Sequence, residues 1–416
     1  MSRLTADNVH ILENDQDAIT AAYHVADFAL EGRNLRDQKR QLPFAEIELF
    51  SQKGLGGLRI PKQYGGAYVS NKTLARVFRI LNKADSSIGQ IPQNQISLLY
   101  LIDLMGTEAQ KQFIFQEILA GKRLANGGPE RHTKDSKTLN TILSIENGHY
   151  YLQGEKFYST GSSFAHWLAI KAIHPEGHVV LVIVNREAQG IEVIDDWDGF
   201  GQKTTGSGTL KIDNVQIARD HILPFQERFK YQTAFYQVVH LATLAGIAQN
   251  AVEVFTHEVR KRTRIFSHGN AELVRNDAQI LQVIGKASAQ AYAAEAIALS
   301  TADALDQAYL SHFQNDENTE LQANDSAELA SSQGQVVISE LVLNLTTELF
   351  NALGASASTT EKQLDRFWRN ARVVSSHNPL IYKQKVIGDW VVNQAPLPYV
   401  WQIGNSPVLN QKEIAA

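Results

Sequence analysis

At 416 residues with 44% hydrophobic content, the chain is long enough for two or three subdomains around a sizeable interior. Its 39 basic and 44 acidic residues leave a formal charge of −5 with no block of like sign, which argues against nucleic-acid binding. Cysteine is absent, which excludes disulfides, thiolate metal sites and thiol nucleophiles and fits a reducing, cytoplasmic setting.

The first residues, Met1-Ser2-Arg3-Leu4-Thr5-Ala6-Asp7-Asn8, carry charge and no apolar run, so they read as neither signal peptide nor anchor. From about residue 14, apolar positions fall three and four apart, as between Ala18 and Leu30, and predict a helical domain over 1–130. Gly54, Gly56, Gly57, Pro61, Gly65 and Gly66 interrupt it. Over 131–225 the pattern changes to alternating β-branched and polar residues, which predicts a β domain. Asn147-Gly148 is a hairpin signal because both residues accept positive φ, and Pro175-Glu176-Gly177 separates two further strands, 167–173 and 179–184. Thr209 to Ile217 alternates again. The tightest apolar run, Val179–Val184, is too short to span a bilayer, so no membrane partner is expected.

Helices return over 226–400 and suit a bundle, with 401–416 as a tail. Ala278 to about Leu310 forms one long helix and Ser331 to Leu353 another, in which Val337, Leu341, Leu345 and Leu349 repeat at four before a stop at Gly354. Gln314 to Glu320, polar and acidic, reads as a solvated loop. Helices of this kind often bury a second face against another copy, so a homo-oligomer is expected.

No His-Glu-x-x-His, phosphate-binding P-loop or Gly-x-Ser-x-Gly motif occurs. Gly199-Phe200-Gly201 lacks the third glycine of a dinucleotide fingerprint. The 13 histidines are scattered without metal-ligand spacing, so no metal is expected. Gly154-Glu155-Lys156-Phe157-Tyr158-Ser159-Thr160-Gly161 and Trp197 to Thr209 are dense in glycine and hydroxyls. Such segments let backbone approach a planar ligand, although ordinary turns have the same composition.

Five landmarks in order carry a more specific signal: Ile60-Pro61-Lys62-Gln63-Tyr64-Gly65-Gly66, Ile88 to Asn94, Gly154 to Gly161, Ile194-Asp195-Asp196-Trp197, and Arg366 to Pro379. Together, from about Gly54 to Gly388, they resemble the acyl-CoA dehydrogenase superfamily. The likeness is to its branch of reduced-flavin monooxygenases, which includes dibenzothiophene monooxygenase and the bacterial sulfur-acquisition oxidoreductases. The resemblance implies a mainly α fold with an inserted β domain: an N-terminal helical domain, a middle β-barrel or sandwich and a C-terminal four-helix bundle, assembled as a tetramer. In the dehydrogenases a glutamate base follows the Arg369-Asn370-Ala371-Arg372 stretch; here its position holds Asn378, an amide that takes no proton near neutral pH.

What the resemblance implies is a flavin-dependent oxidoreductase. It would receive reduced FMN, or FAD, from a separate flavin reductase, react it with O2 through a C4a-hydroperoxyflavin, and oxygenate a small organosulfur compound. On that basis Asn126, Tyr158, Thr160, Trp197, Arg264 and Arg369 bind cofactor, with Arg264 on its phosphate. His377, Asn126, Thr160 and Gln95 are catalytic, and Gln95, Phe157, Phe200, Ser207 and Asn378 line the substrate pocket. Three positions depart from the branch. Gln95 and Val374 stand where histidines occur, and Ser356 stands where a phosphate-binding arginine does. Two rival readings follow: a dehydrogenase or oxidase with a relocated base, for instance Glu130 or Asp389, and a non-catalytic flavin-binding or scaffold homologue.

Overall fold

Caps mark off the helical first third. The Asn14 side chain accepts from the backbone N–H of Gln16 and Asp17 and starts α1 (Asp15–Leu30). Further along, Thr107 and Gln110 form a reciprocal capping box at the head of α7 (Glu108–Leu119). Between them lie α2 (Arg33–Lys39), α3 (Phe44–Gln52), α4 (Asn71–Ala84), α5 (Ser86–Gln90) and α6 (Gln93–Met105). The computed structural model describes residues 9–131, 139–225 and 230–399; the readings made for residues 1–8 and 401–416 lie outside the described residues. Apolar residues of α4, among them Leu74, Phe78 and Leu81, join Ala22 and Val25 of α1 in one continuous core.

The middle of the chain is a sheet of eight strands: β1 (Leu124–Gly127), β2 (Ile142–Glu146), β3 (His149–Lys156), β4 (Trp167–Ile173), β5 (Val179–Asn185), β6 (Ile191–Ile194), β7 (Thr209–Ile217) and β8 (Ile222–Pro224). Their order is β6-β7-β3-β2-β4-β5-β8, with β1 parallel to β4. Glu146 pairs with His149, so Asn147 (φ 51°) and Gly148 (φ 80°) form the two-residue hairpin turn that their identities call for. The sheet begins at Leu124, ahead of the boundary expected at 130. Four residues without alternation do not announce a strand, and β1 exists because β4 lies alongside it.

Where β3 ends, Lys156 turns inward and meets Glu130 at 2.6 Å, both side chains almost fully buried. Glu130 also accepts from the backbone N–H of Asn140 and Thr141 and from the Thr141 hydroxyl. Every charge in this pair therefore has a partner, which is the condition for burying one.

The last part is α8 (Gln232–Lys261), α9 (Ala278–Ser311), α10 (Glu317–Glu348), α11 (Arg366–Ser375) and α12 (Leu380–Asn393). Asp316 caps α10, so Glu317 to Glu320 form its first turn, and the solvated loop expected over 314–320 shrinks to the residues before Glu317. Acidic residues suit that position because a helix N-terminus carries partial positive charge. By length and composition α8 alone among the described helices could cross a bilayer, which the sequence scan did not foresee. Yet 78% of that window is buried inside the protein, as befits the central helix of a bundle.

The buried pair yields a stability prediction. Replacing Glu130 by Ala strands the Lys156 ammonium and should lower the unfolding free energy by ~3–5 kcal/mol in urea titrations; a loss under ~1 kcal/mol would contradict the pairing.

Candidate functional site

The site is assembled around α11, whose apolar stripe of Phe367, Ala371 and Val374 is buried against α8 and α10. Beside that stripe Asn370, and on the more open side Arg369, face the loop that follows β6. Asn370 accepts from the Gln202 backbone N–H at 2.8 Å and donates to the Ser86 hydroxyl at 2.9 Å, joining the β domain to α5. Arg369 donates to Asp37 (2.6 Å), Asp365 (2.7 Å) and the Phe200 carbonyl (2.9 Å). Gly201 is required here, since a Cβ would lie 2.3 Å from the Arg369 carbonyl oxygen.

That clamp fixes Trp197. The indole N–H donates to the Gln202 carbonyl at 3.0 Å, and the Trp197 carbonyl accepts from Arg40, whose guanidinium also grips Asp195 through two bonds of 2.6 and 2.9 Å. The Tyr158 ring, on a backbone with φ 57°, meets the indole edge-on at 6.1 Å. Beside them runs a chain of hydroxyls: Thr160 to Ser207 at 2.7 Å, Ser207 to Thr205 at 2.8 Å, and Thr205 donating to the Gln202 carbonyl. Asn126 on β1 has a buried side-chain oxygen with no hydrogen-bond partner. An orphaned acceptor of this kind costs stability unless a ligand donates to it.

Past the end of α11, Asn378 donates its amide to the Gln237 side-chain oxygen at 3.0 Å, while its carbonyl accepts from Gln335 at 2.8 Å. His377 packs against His240 of α8, ring centroids 4.5 Å apart. It is reachable by solvent although protein crowds around it, as a group lining a cleft would be, and that crowding lowers its pKa to about 4. Burial, and secondly His377, hold His240 well below the usual histidine range. Gln93 accepts from Gln90, so its amide nitrogen is the atom that faces His240, at 3.3 Å. Neutral His240 therefore accepts at Nε2 and carries its proton on Nδ1. The α5–α6 corner that supplies Gln90 and Gln93 also places Ile91 against Gly161, and so joins the imidazole pair to the β-domain residues.

Several expected site residues lie elsewhere. Gln95 spans the Gly56 carbonyl and the Leu124 N–H, both at 3.0 Å; the adjoining cavity of about 20 Å³ has room for a water and none for a substrate. Phe157 is core, 1% exposed. Phe200 faces outward and stacks on Trp368 at 6.1 Å, and Arg369 is wholly engaged in its clamp. Arg264 is exposed beyond the C-terminal end of α8, roughly 30 Å from His240 at about 1.5 Å per helical residue, out of reach within one protomer. Val374, at the position where the resembling branch carries a histidine, fills the bundle core, and Ser356 is on the surface.

Neither relocated base survives inspection. Burial pushes the Glu130 carboxyl up, but Lys156, Asn140 and Thr141 outweigh it and hold the pKa below the ordinary value. Asp389, on α12, is bonded to Asn393 and lies near Lys385. The residues that sequence reasoning missed are Gln237, His240, Gln93 and Asn370. Gln237 and His240 carried a signal, being polar residues three apart in the otherwise apolar stretch Phe235 to Ala242 of a buried helix.

Helical domain, sheet and long-helix bundle thus bring amides, hydroxyls and imidazoles together where the α5–α6 corner meets the β domain, an α–β–α arrangement. The chain belongs to the acyl-CoA dehydrogenase family: the profile "Acyl-CoA dehydrogenase, N-terminal domain" matches residues 20–122 and "Acyl-CoA dehydrogenase, C-terminal domain" matches 238–380. Dibenzothiophene monooxygenase of Mycolicibacterium goodii is 26% identical over 382 residues, 87% of this chain and 91% of that protein. A probable FMNH2-dependent monooxygenase, SfnC of Pseudomonas putida, is 25% identical over 373 residues, 87% and 92% of the two chains. Crystalline FMN-bound TdsC from Paenibacillus sp. A11-2 superposes with a TM-score of 0.84 at 26% identity, covering 92% of this chain and 98% of its own.

The imidazole pair has a pH signature. Below about pH 6.5 unfolded histidines take up protons that His240 and His377 refuse in the fold, so native stability declines as pH falls from 6.5 toward 4. In His240→Gln the drop in urea midpoint between pH 7 and pH 5 should be smaller than in the parent; an unchanged drop would contradict the assignment.

Proposed function

We propose that the protein is a flavin-dependent monooxygenase that takes reduced FMN from a separate reductase and, with O2, oxygenates a small organosulfur compound. The observation that carries this reading is Asn378. At the position of the dehydrogenase base stands an amide tied to another amide, and Glu130 and Asp389, the two acids weighed as substitutes, are held by partners of their own, so α-proton removal from a thioester lacks its usual agent. The FMN named for the similar Paenibacillus structure and the FMNH2 dependence named for the Pseudomonas relative favour FMN over FAD.

The residues present fit such a cofactor. The unpartnered oxygen of Asn126 suits a flavin ring N–H, the Thr160 and Ser207 hydroxyls offer donors that turn to suit, and Tyr158 and Trp197 supply apolar surface for a planar ring. When bound, reduced flavin supplies two electrons to O2, one oxygen atom going to sulfur and the other leaving as water. The protein's part is to position substrate and exclude water. Neutral His377 has one N–H and one bare ring nitrogen, so it gives or takes a proton without adding a fixed charge.

Arg264 remains the proposed phosphate ligand only if a second protomer presents it. Exposed apolar side chains on α12, Ile381, Tyr382, Val391 and Val392, support assembly, and we infer a homotetramer in the cytoplasm.

Supplied with FMN, a flavin reductase, NADH and ¹⁸O2, the protein should place ¹⁸O in the product of an alkyl or aryl sulfide. Trp197→Ala should divert about tenfold more reducing equivalents to hydrogen peroxide, as loss of shielding lets water in. Peroxide without labelled product across a panel of sulfides and sulfinates would refute the proposal.

A further inference from the structure

We propose that the β4–β5 hairpin carries a binding site for a divalent transition-metal ion of the zinc or nickel(II) class, formed by His174, Glu176 and His178. Along the sequence the 13 histidines show no metal-ligand spacing of the helical or zinc-finger kind. In a tight hairpin a different spacing works. Ile173 pairs with Val179, the His174 N–H donates to the His178 carbonyl at 2.8 Å, and the Gly177 N–H donates to the His174 carbonyl at 2.8 Å. Gly177 supplies the positive φ of 86° that closes the loop. This backbone brings residues 174, 176 and 178 to one place before any metal is considered.

The ligand geometry follows. The two imidazoles stack with centroids 4.6 Å apart and planes 26° from parallel. Their Nδ1 atoms lie 3.7 and 3.8 Å from the same Glu176 Oε2, and the three ligand atoms lie within 4.8 Å of one another, the one such triad among the described residues. In a tetrahedral site with bonds of ~2.0–2.1 Å, neighbouring ligand atoms stand about 3.4 Å apart, so the two histidine–glutamate edges close by a few tenths of an ångström and the histidine–histidine edge by at most about 1.4 Å, completing three corners and leaving the fourth for water. Two nitrogens and one carboxylate oxygen suit borderline transition ions; magnesium and calcium ask for six or more oxygens. Metal binding would take over the His174 Nδ1 lone pair, which now accepts only a long 3.3 Å bond from the Glu176 N–H.

This site is independent of the cleft. Asn126 pairs with Ala169 near the other end of β4, five residues or about 16 Å from His174 at ~3.3 Å per strand residue. The metal would clip a hairpin that is otherwise held by backbone bonds at its tip, and so stiffen β4, against which β1 is laid. With no cysteine in the chain, no thiolate competes for the ion.

The test uses the full-length protein after chelation and desalting, titrated calorimetrically with ZnCl2, NiCl2 and MgCl2. One equivalent of zinc or nickel should bind, with a rise in melting temperature. Affinity should fall at least ~10-fold in the His174→Ala/His178→Ala double variant and in the milder His178→Asn, which leaves the loop's backbone bonds intact. Zinc affinity equal in parent and variants, or no preference for zinc over magnesium, would overturn the site. Neither outcome touches the flavin reading, which needs none of these residues.

Discussion

The structure depends on one junction, where Asn370 and Arg369 of α11 hold the loop after β6 against the N-terminal helices. Asn370 uses both ends of its amide, one on the Gln202 N–H and one on Ser86, while Arg369 reaches Asp37 and the Phe200 carbonyl. Three parts of the chain distant in sequence meet there through short, mostly buried bonds. Trp197 takes its place because Gln202 is held, and the hydroxyl chain from Thr160 ends on the same carbonyl. From the other end of α11 come His377 and Asn378, so the helix that fastens the β-domain loop also sets the depth of the imidazole. A guanidinium committed to that clamp is unavailable to a cofactor.

Beyond the junction, the cleft is notable for carrying little charge. Asn378 faces Gln237, Gln93 faces His240, and burial keeps His240 neutral, while crowding by protein lowers the pKa of His377 even though solvent reaches it. The nearby acids are held in place: Glu130 is buried against Lys156 and Asp37 against Arg369. A dehydrogenase requires a carboxylate able to accept a carbon-bound proton. Here the lining is suited to sheltering a reactive, weakly polar centre from water instead. Family membership and chemistry are separate questions: the scaffold is that of the acyl-CoA dehydrogenase family, and its chemistry is a matter of the residues at the site.

Much of the architecture was legible because it rests on local chemistry. The Asn147-Gly148 turn and the alternation of Thr209 to Ile217 each specify their element without help from the rest of the chain, whereas the repeat of Val337, Leu341, Leu345 and Leu349 marked a helix but caught only part of its buried face, which Ile338, Val342 and Leu345 supply. What escaped was set by tertiary contact. β1 is a strand only because β4 lies beside it, and Gln95 reads as a polar active-site residue until its amide is seen bridging two backbone groups. Arg369 and Phe200 sat in the right motif but turned toward packing, and His240 could not be paired with His377 across 137 positions of sequence. Motif and order supplied the candidates; which of them meet was decided by hydrogen-bond partners that a linear reading does not contain.

The central claim, that this cleft lacks a proton-abstracting base, is tested most directly by mixing the protein loaded with oxidised FMN, without oxygen, with a saturated acyl-CoA thioester. The account predicts that the flavin absorbance near 450 nm stays unchanged over many minutes. Bleaching of that band with appearance of the enoyl thioester would contradict it.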